Sequence, residues 1–225
     1  MKIIRYRIAS DMTIEFQDQD KYVTDTTYQN FKERKIKNPY DKSIFGIGCL
    51  GVGKYKAYDT DGYKTREYNI WVSLLERCYS EKNRYKHKTY EGCHTCDDWH
   101  NFQNFAAWYE KNYYDVDDRR MHIDKDILIN NNKLYSPETC LIIPQRINMV
   151  FMKKNREVDP DLPQGIRRCV GGYMVSYNTK YLGVHTELDK AIEVYNIEKR
   201  IHIKQIVEEY GERLPPKVRN ALLNW

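Results

Sequence analysis

The chain is poor in several features that would classify it quickly. Its six cysteines (Cys49, Cys78, Cys93, Cys96, Cys140, Cys169) are spread over 225 residues. That is too sparse for a disulfide scaffold and points to thiols or metal ligands in a reducing compartment. No apolar stretch approaches the roughly 18 residues of a membrane span. The opening MKIIRYRIAS breaks its isoleucines with Arg5 and Arg7 before a signal-peptide core can form, so the sequence predicts a cytoplasmic protein with no membrane partner. Internal repeats and low-complexity tracts are missing too. The glycine cluster GIGCLGVGKY lacks the Gly-Lys-Ser/Thr ending of a phosphate loop and reads as bends in a small sheet.

What is present suits folded modules. Hydrophobic residues make up 41% and charged residues 31%, which excludes an intrinsically disordered chain. The net charge is +5 and it is unevenly placed: residues 1–68 carry 13 Lys/Arg against 10 Asp/Glu, residues 69–152 carry 11 against 12, and residues 153–225 carry 13 against 10. Basic flanks around a less basic centre suit phosphate contacts on either side of a cation site; an ordinary solvated surface gives the same pattern.

Periodicity predicts an α+β chain. A first strand spans MKIIRYRI within a small N-terminal β region, residues 1–68. Ile70, Trp71, Leu74, Leu75 and Cys78 recur at helical spacing with Asn69 as the cap. Phe102, Phe105, Ala106 and Tyr109 repeat the pattern after an Asp97-Asp98 start, and the two helices are expected to pack together in a central module, residues 69–152. The polar stretch KKNREVDPDLPQG marks a linker over 153–163. Beyond it, residues 164–225 alternate as three short strands with turns at Gly171-Gly172 and Asn178-Thr179. A helix follows on Leu188, Ala191, Ile192 and Tyr195, extended or succeeded by Ile203, Ile206, Val207 and Tyr210, and Pro215-Pro216 opens a last short helix.

The densest chemistry lies in HIDKDILINNNKLYSPETC, residues 122–140. If residues 121–127 are extended, His122, Asp124 and Asp126 share one face. An asparagine-rich turn, a second strand CLII and a helix opening at Pro144 would complete a ββα unit with Asn148 one turn into the helix. These residues resemble the HNH endonucleases of the ββα-metal type, particularly the phage-encoded and homing kinds. The upstream segment from Tyr68 to Phe105, with its Trp, Arg-Cys-Tyr and Cys-x2-Trp pattern, extends the resemblance, as do the Asn-Pro-Tyr at 38–40 and the glycines that follow. The resemblance implies Asp124 and Asn148 as ligands of Mg²⁺ or Mn²⁺, with Asp126 beside them; it sets Lys125 at the position of the catalytic His and Thr139 at that of its supporting Asn. An ordinary lysine stays protonated near neutrality, so Lys125 is read as a contact to the scissile phosphate. His122, of a type that titrates near about 6.5, is read as the base. The alternative is a non-hydrolytic scaffold in which these side chains cap or solvate a turn.

Cys93-x2-Cys96 has the spacing of half a structural zinc site, which Cys78, Cys140, His94 or His100 would complete; buried thiols packed beside Trp99 and Phe102 are the alternative. The segment GIRR, GYMVSYNTKYLGVH and the helix after it resemble an AP2-type DNA-binding domain. That likeness implies a three-stranded sheet laid on double-stranded DNA, with Arg167, Arg168, Ser176, Asn178 and Lys180 facing the groove. Two functions follow from the resemblances: a metal-dependent, phage-type DNA endonuclease, or a non-cleaving DNA-binding or host-protein-binding (anti-defence) module acting in the host cytoplasm.

Overall fold

A computed structural model describes residues 1–86, 88–117, 120–152 and 161–225; most of the expected linker lies outside them. In chain order the first elements are β1 (Lys2–Ile8), β2 (Asp11–Glu15), β3 (Val23–Thr26), α1 (Tyr28–Lys32), α2 (Arg66–Tyr79) and α3 (Glu81–Lys86). Then come β4 (His94–Thr95), α4 (Phe102–Asn112), β5 (Met121–Asp124), β6 (Leu134–Tyr135), β7 (Leu141–Pro144) and α5 (Gln145–Phe151). The chain closes with β8 (Ile166–Cys169), β9 (Gly172–Tyr177), β10 (Lys180–His185), α6 (Leu188–Tyr210) and α7 (Pro216–Leu223). The protein is α+β, as expected. Its contacts cluster into two compact units, Met1–Asn112 with Lys133–Glu138, and Tyr113–Asn132 with Thr139–Trp225. These clusters cut across the divisions at 68, 152 and 164 read from the sequence. Among the described residues no helix is long and apolar enough to cross a membrane.

In the first unit β1, β2 and β3 form an antiparallel meander in that order, and its central strand buries Met12 and Ile14 completely. The helix expected around Ile70 starts at Arg66, three residues before Asn69. Thr65 caps it instead, its hydroxyl accepting from the Tyr68 N–H, because a β-region threonine satisfies an orphan donor of the first turn. Helices α2 and α4 pack through Trp71, Leu75, Phe102 and Phe105, all at most 1% exposed. Each such side chain contributes on the order of 1.5–3 kcal/mol by leaving water. The Trp71 indole N–H finds the Trp99 carbonyl at 2.7 Å, so its polar atom is not stranded in that core. The glycine cluster forms no sheet: Ile44 bridges Gly48 and Cys49 bridges Asn101 as isolated pairs. Gly48 is there because a Cβ would stand 2.5 Å from Leu75 and 2.9 Å from Trp71.

The second unit holds the ββα segment and the three-stranded sheet on one long helix. Strand β7, the wholly buried run Leu-Ile-Ile-Pro, pairs antiparallel with β5 in the register His122↔Ile143 and Asp124↔Leu141. Pro144 then caps α5. Leu141, Ile143 and Ile147 join Ile203, Ile206, Val207, Tyr210, Leu214 and Val218 in one cluster, so the C-terminal half of α6 and α7 cover this segment. The N-terminal half of α6 backs the sheet β10-β9-β8 through Ala191, Ile166 and Val175, with Ile192 and Tyr195 around them. The apolar stripe predicted as one helix or two is therefore a single 23-residue element. It stops at Gly211, whose φ of +55° suits glycine better than a residue with a side chain. Pro216 then opens α7, where a missing N–H costs nothing.

Candidate functional site: the central hairpin and the open sheet

The extended face expected over residues 121–127 ends at Asp124. There the chain turns, and the Asp124 carboxylate causes it: Oδ1 accepts the backbone N–H of Asp126 at 2.9 Å and of Ile127 at 2.8 Å. Short acidic side chains favour such turns because they can replace the next backbone acceptor. His122, Asp124 and Asp126 consequently do not form one row of ligands. Burial pushes the Asp124 carboxyl above its ordinary range, and the two N–H groups offset part of that.

The side chains meet different partners from those the resemblance implied. Asn148, expected on a cation with Asp124, has its carboxamide 2.9 Å from His122 Nδ1. Lys125, expected at the scissile phosphate, is only 7% exposed. Its ammonium donates to Asp126 Oδ1 at 2.8 Å and Oδ2 at 2.9 Å and to the carbonyl of Asn132. The Asn132 amide returns a bond to the Lys125 carbonyl at 3.1 Å. Asn132 is thus a partner the sequence reading overlooked; its place in the asparagine run was the only signal. Thr139 is buried with its hydroxyl 3.9 Å from the Cys140 sulfur. A hard divalent ion collects about six oxygens. Here Asp124 Oδ1 is taken up by the turn, the Asn148 amide nitrogen by an imidazole and both Asp126 oxygens by an ammonium. Of the three expected ligands, Asp126 is the one whose oxygens are both engaged, and Asp124 Oδ2 and Asn148 Oδ1 are the oxygens a cation would use.

The cysteines divide similarly. Cys78 and Cys93 are buried in the first unit, Cys96 is half-buried there, and Cys140 belongs to the second unit. Burial raises the Cys96 thiol above its usual value. His100 lies 3.3 Å from the Tyr79 hydroxyl. Among the described residues no three His, Cys, Asp or Glu side chains gather as a metal-holding group.

In the C-terminal sheet, cross-strand register sorts the candidates. Rows Ile166↔Val175↔Gly183 and Arg168↔Tyr173↔His185 lie on the side of α6, while Arg167↔Met174↔Val184 and Ser176↔Tyr181 lie on the opposite, open side. Arg167 and Ser176 therefore lie on the open side. Arg168 shares the helix-side row. Lys180 does too, its ammonium 2.7 Å from Glu198 of α6. Asn178 forms the hairpin tip with Thr179, both at positive φ of 45° and 71°, the backbone of a tight two-residue turn. Its amide lies 3.3 Å from His202 Nδ1, which also meets the Tyr177 hydroxyl at 2.8 Å. Tyr181, 63% exposed on the open side, was missed. Counting alternation back from Ser176 across the turn would have found it.

Neither family models, curated proteins nor solved structures give a match to the chain.

Proposed function

We propose that the chain binds double-stranded DNA through the open side of the β8–β10 sheet, and that its ββα segment braces the fold without cutting DNA. The observation that carries this reading is the one-sided sheet: α6 covers one face, and the other presents Arg167, Ser176 and Tyr181 among the smaller apolar Met174 and Val184. Strands about 4.8 Å apart make a ribbon that the roughly 12 Å major groove accepts. An arginine fork matches the paired acceptors of guanine, hydroxyls reach phosphate or base edges, and apolar side chains suit the thymine methyl. The likeness to AP2-type domains supports the same docking. The test is duplex binding by the full chain across a salt series: affinity falling steeply with salt supports the reading. Absent or salt-insensitive binding overturns it and leaves a contact surface for a host protein.

A second reading rests on His122 and Asn148. The Asn148 amide donates to Nδ1 and holds the ring beside the first strand of the hairpin, the placement that the resemblance gives a proton-transfer group. Phosphodiester hydrolysis by His122 requires the ring to leave this bond and bring its buried Nε2 to solvent. Incubation of supercoiled and linear DNA with Mg²⁺ or Mn²⁺ decides it. Scission that disappears in His122→Ala supports hydrolysis; intact DNA under either ion, with binding retained, removes it.

A further inference from the structure

On the C-terminal half of α6, away from the open sheet, Arg200 and Lys204 stand one turn apart and line a recess of about 250 Å³. Ile203 and Leu222 supply apolar lining, and the Trp225 indole and Asn224 border it. Neither cation has an ion pair or hydrogen bond among the described residues, while Lys180, Lys190 and Arg146 all hold glutamates. The indole is pinned: Lys199 Nζ lies 3.9 Å from its centroid and Phe151 meets it edge-on at 5.3 Å. The recess is smaller than the roughly 300–1,000 Å³ that drug-sized ligands occupy. It takes no more than a single nucleotide, not a large cofactor.

We propose that this recess is a nucleotide subsite, in which Arg200 and Lys204 hold a phosphate and a single base packs against Trp225 and the apolar lining. Two uncompensated cations four residues apart suit a phosphate because it offers several acceptor oxygens and a charge that neither has yet neutralised. A rigid indole beside them suits the flat face of a base, a contact that tolerates any sequence. The nucleotide comes from one of two sources with the same chemistry, a free mononucleotide or one unit of a single strand. The site is separate from the duplex surface around Arg167 and does not depend on it.

The experiment follows tryptophan emission of the full chain during titration with thymidine 5′-monophosphate, with a short oligothymidylate, and with inorganic phosphate. Trp71 and Trp99 are buried and Trp108 is half-buried in the first unit, so the Trp225→Phe variant is what assigns the signal to Trp225. Quenching by the mononucleotide or the oligonucleotide is expected, with inorganic phosphate competing. It should vanish in Trp225→Phe and shift to at least about tenfold higher ligand in Arg200→Ala/Lys204→Ala, with Arg167→Ala unchanged. Quenching by the mononucleotide identifies the free source, and quenching by the strand alone identifies the polymer. Both variants are checked for native far-UV dichroism; the paired-alanine variant alters only exposed side chains. No quenching with either ligand, or quenching unchanged in the folded Arg200→Ala/Lys204→Ala variant, overturns the proposal.

Discussion

Asn148 reaches across from α5 to β5 and meets His122 Nδ1 at 2.9 Å, joining the helix of the ββα segment to its first strand. The bond fixes the ring's orientation, and a neutral hydrogen bond of this kind contributes about 0.5–1.5 kcal/mol. Asn148→Ala should therefore lower the unfolding free energy by about that amount and release the ring. Denaturant unfolding measures the first, and the His122 imidazole resonances, broadened or shifted in the variant, measure the second.

The Lys125–Asp126 pair should be asymmetric. The ammonium is buried, with a side chain 9% exposed, while the carboxylate is 45% exposed. Asp126→Ala strands a buried charge and should cost about 3 kcal/mol or more. Lys125→Met leaves a carboxylate that water can reach and the Asn132 carbonyl, and should cost about 1–2 kcal/mol. Equal losses in urea unfolding would contradict the burial difference.

Asp124 makes stability depend on pH. Its folded carboxyl titrates above the ordinary value because burial disfavours the charge. The folded state therefore holds its proton more tightly than the unfolded chain. This group's contribution is greatest at acid pH and declines as pH rises from about 4, the unfolded value, through the raised folded one. Asp124→Asn keeps an Oδ1 acceptor for the N–H groups of Asp126 and Ile127 but carries no charge. The variant should match or exceed the parent's Tm near neutrality, with its relative advantage shrinking toward pH 4. A Tm difference that is flat across that window would refute the assignment.

Gly172 tests the sheet's hairpin. It sits at φ +131°, and a Cβ there would meet the His185 carbonyl oxygen at 2.2 Å. The obstacle is backbone and cannot swing aside. Gly172→Ala should cost about 2 kcal/mol or more and weaken duplex binding in proportion to the unfolded fraction, as read by thermal melting beside a binding titration.

Arg167 and Lys180 should part company in that titration. Arg167→Ala removes the open-side guanidinium, and duplex affinity should fall on the order of tenfold. Lys180→Ala breaks an exposed pair with Glu198 on the opposite side, changing affinity less than about twofold and stability by under about 1 kcal/mol. Identical losses would place the duplex elsewhere.

The elements were legible where side-chain spacing alone decides burial. The stripe from Ile70 to Cys78, the run Leu141–Ile143 and the alternation from Ile166 to His185 each announce a buried face, and those elements form. The caps and turns were less legible: Thr65 won over Asn69, and Asp124 ended a strand that period-two counting would continue to residue 127. Both outcomes turn on one side-chain oxygen choosing a local backbone N–H, a competition that hydrophobic spacing does not encode. The partners of Lys125 and Asn148 were hidden for another reason. Sequence position put Lys125 beside Asp126 and Asn148 opposite the first strand, but the turn at Asp124 decides which side chains then face each other.

The shared helix has a mechanical corollary. Ala191, under the sheet, and Val207, under the ββα segment, are sixteen positions apart on one unbroken α6, about 24 Å along its axis. With no joint between them, a load applied at the strands is carried to the hairpin as by a rigid rod. The two parts should lose their slowest-exchanging amides together on heating rather than one after the other.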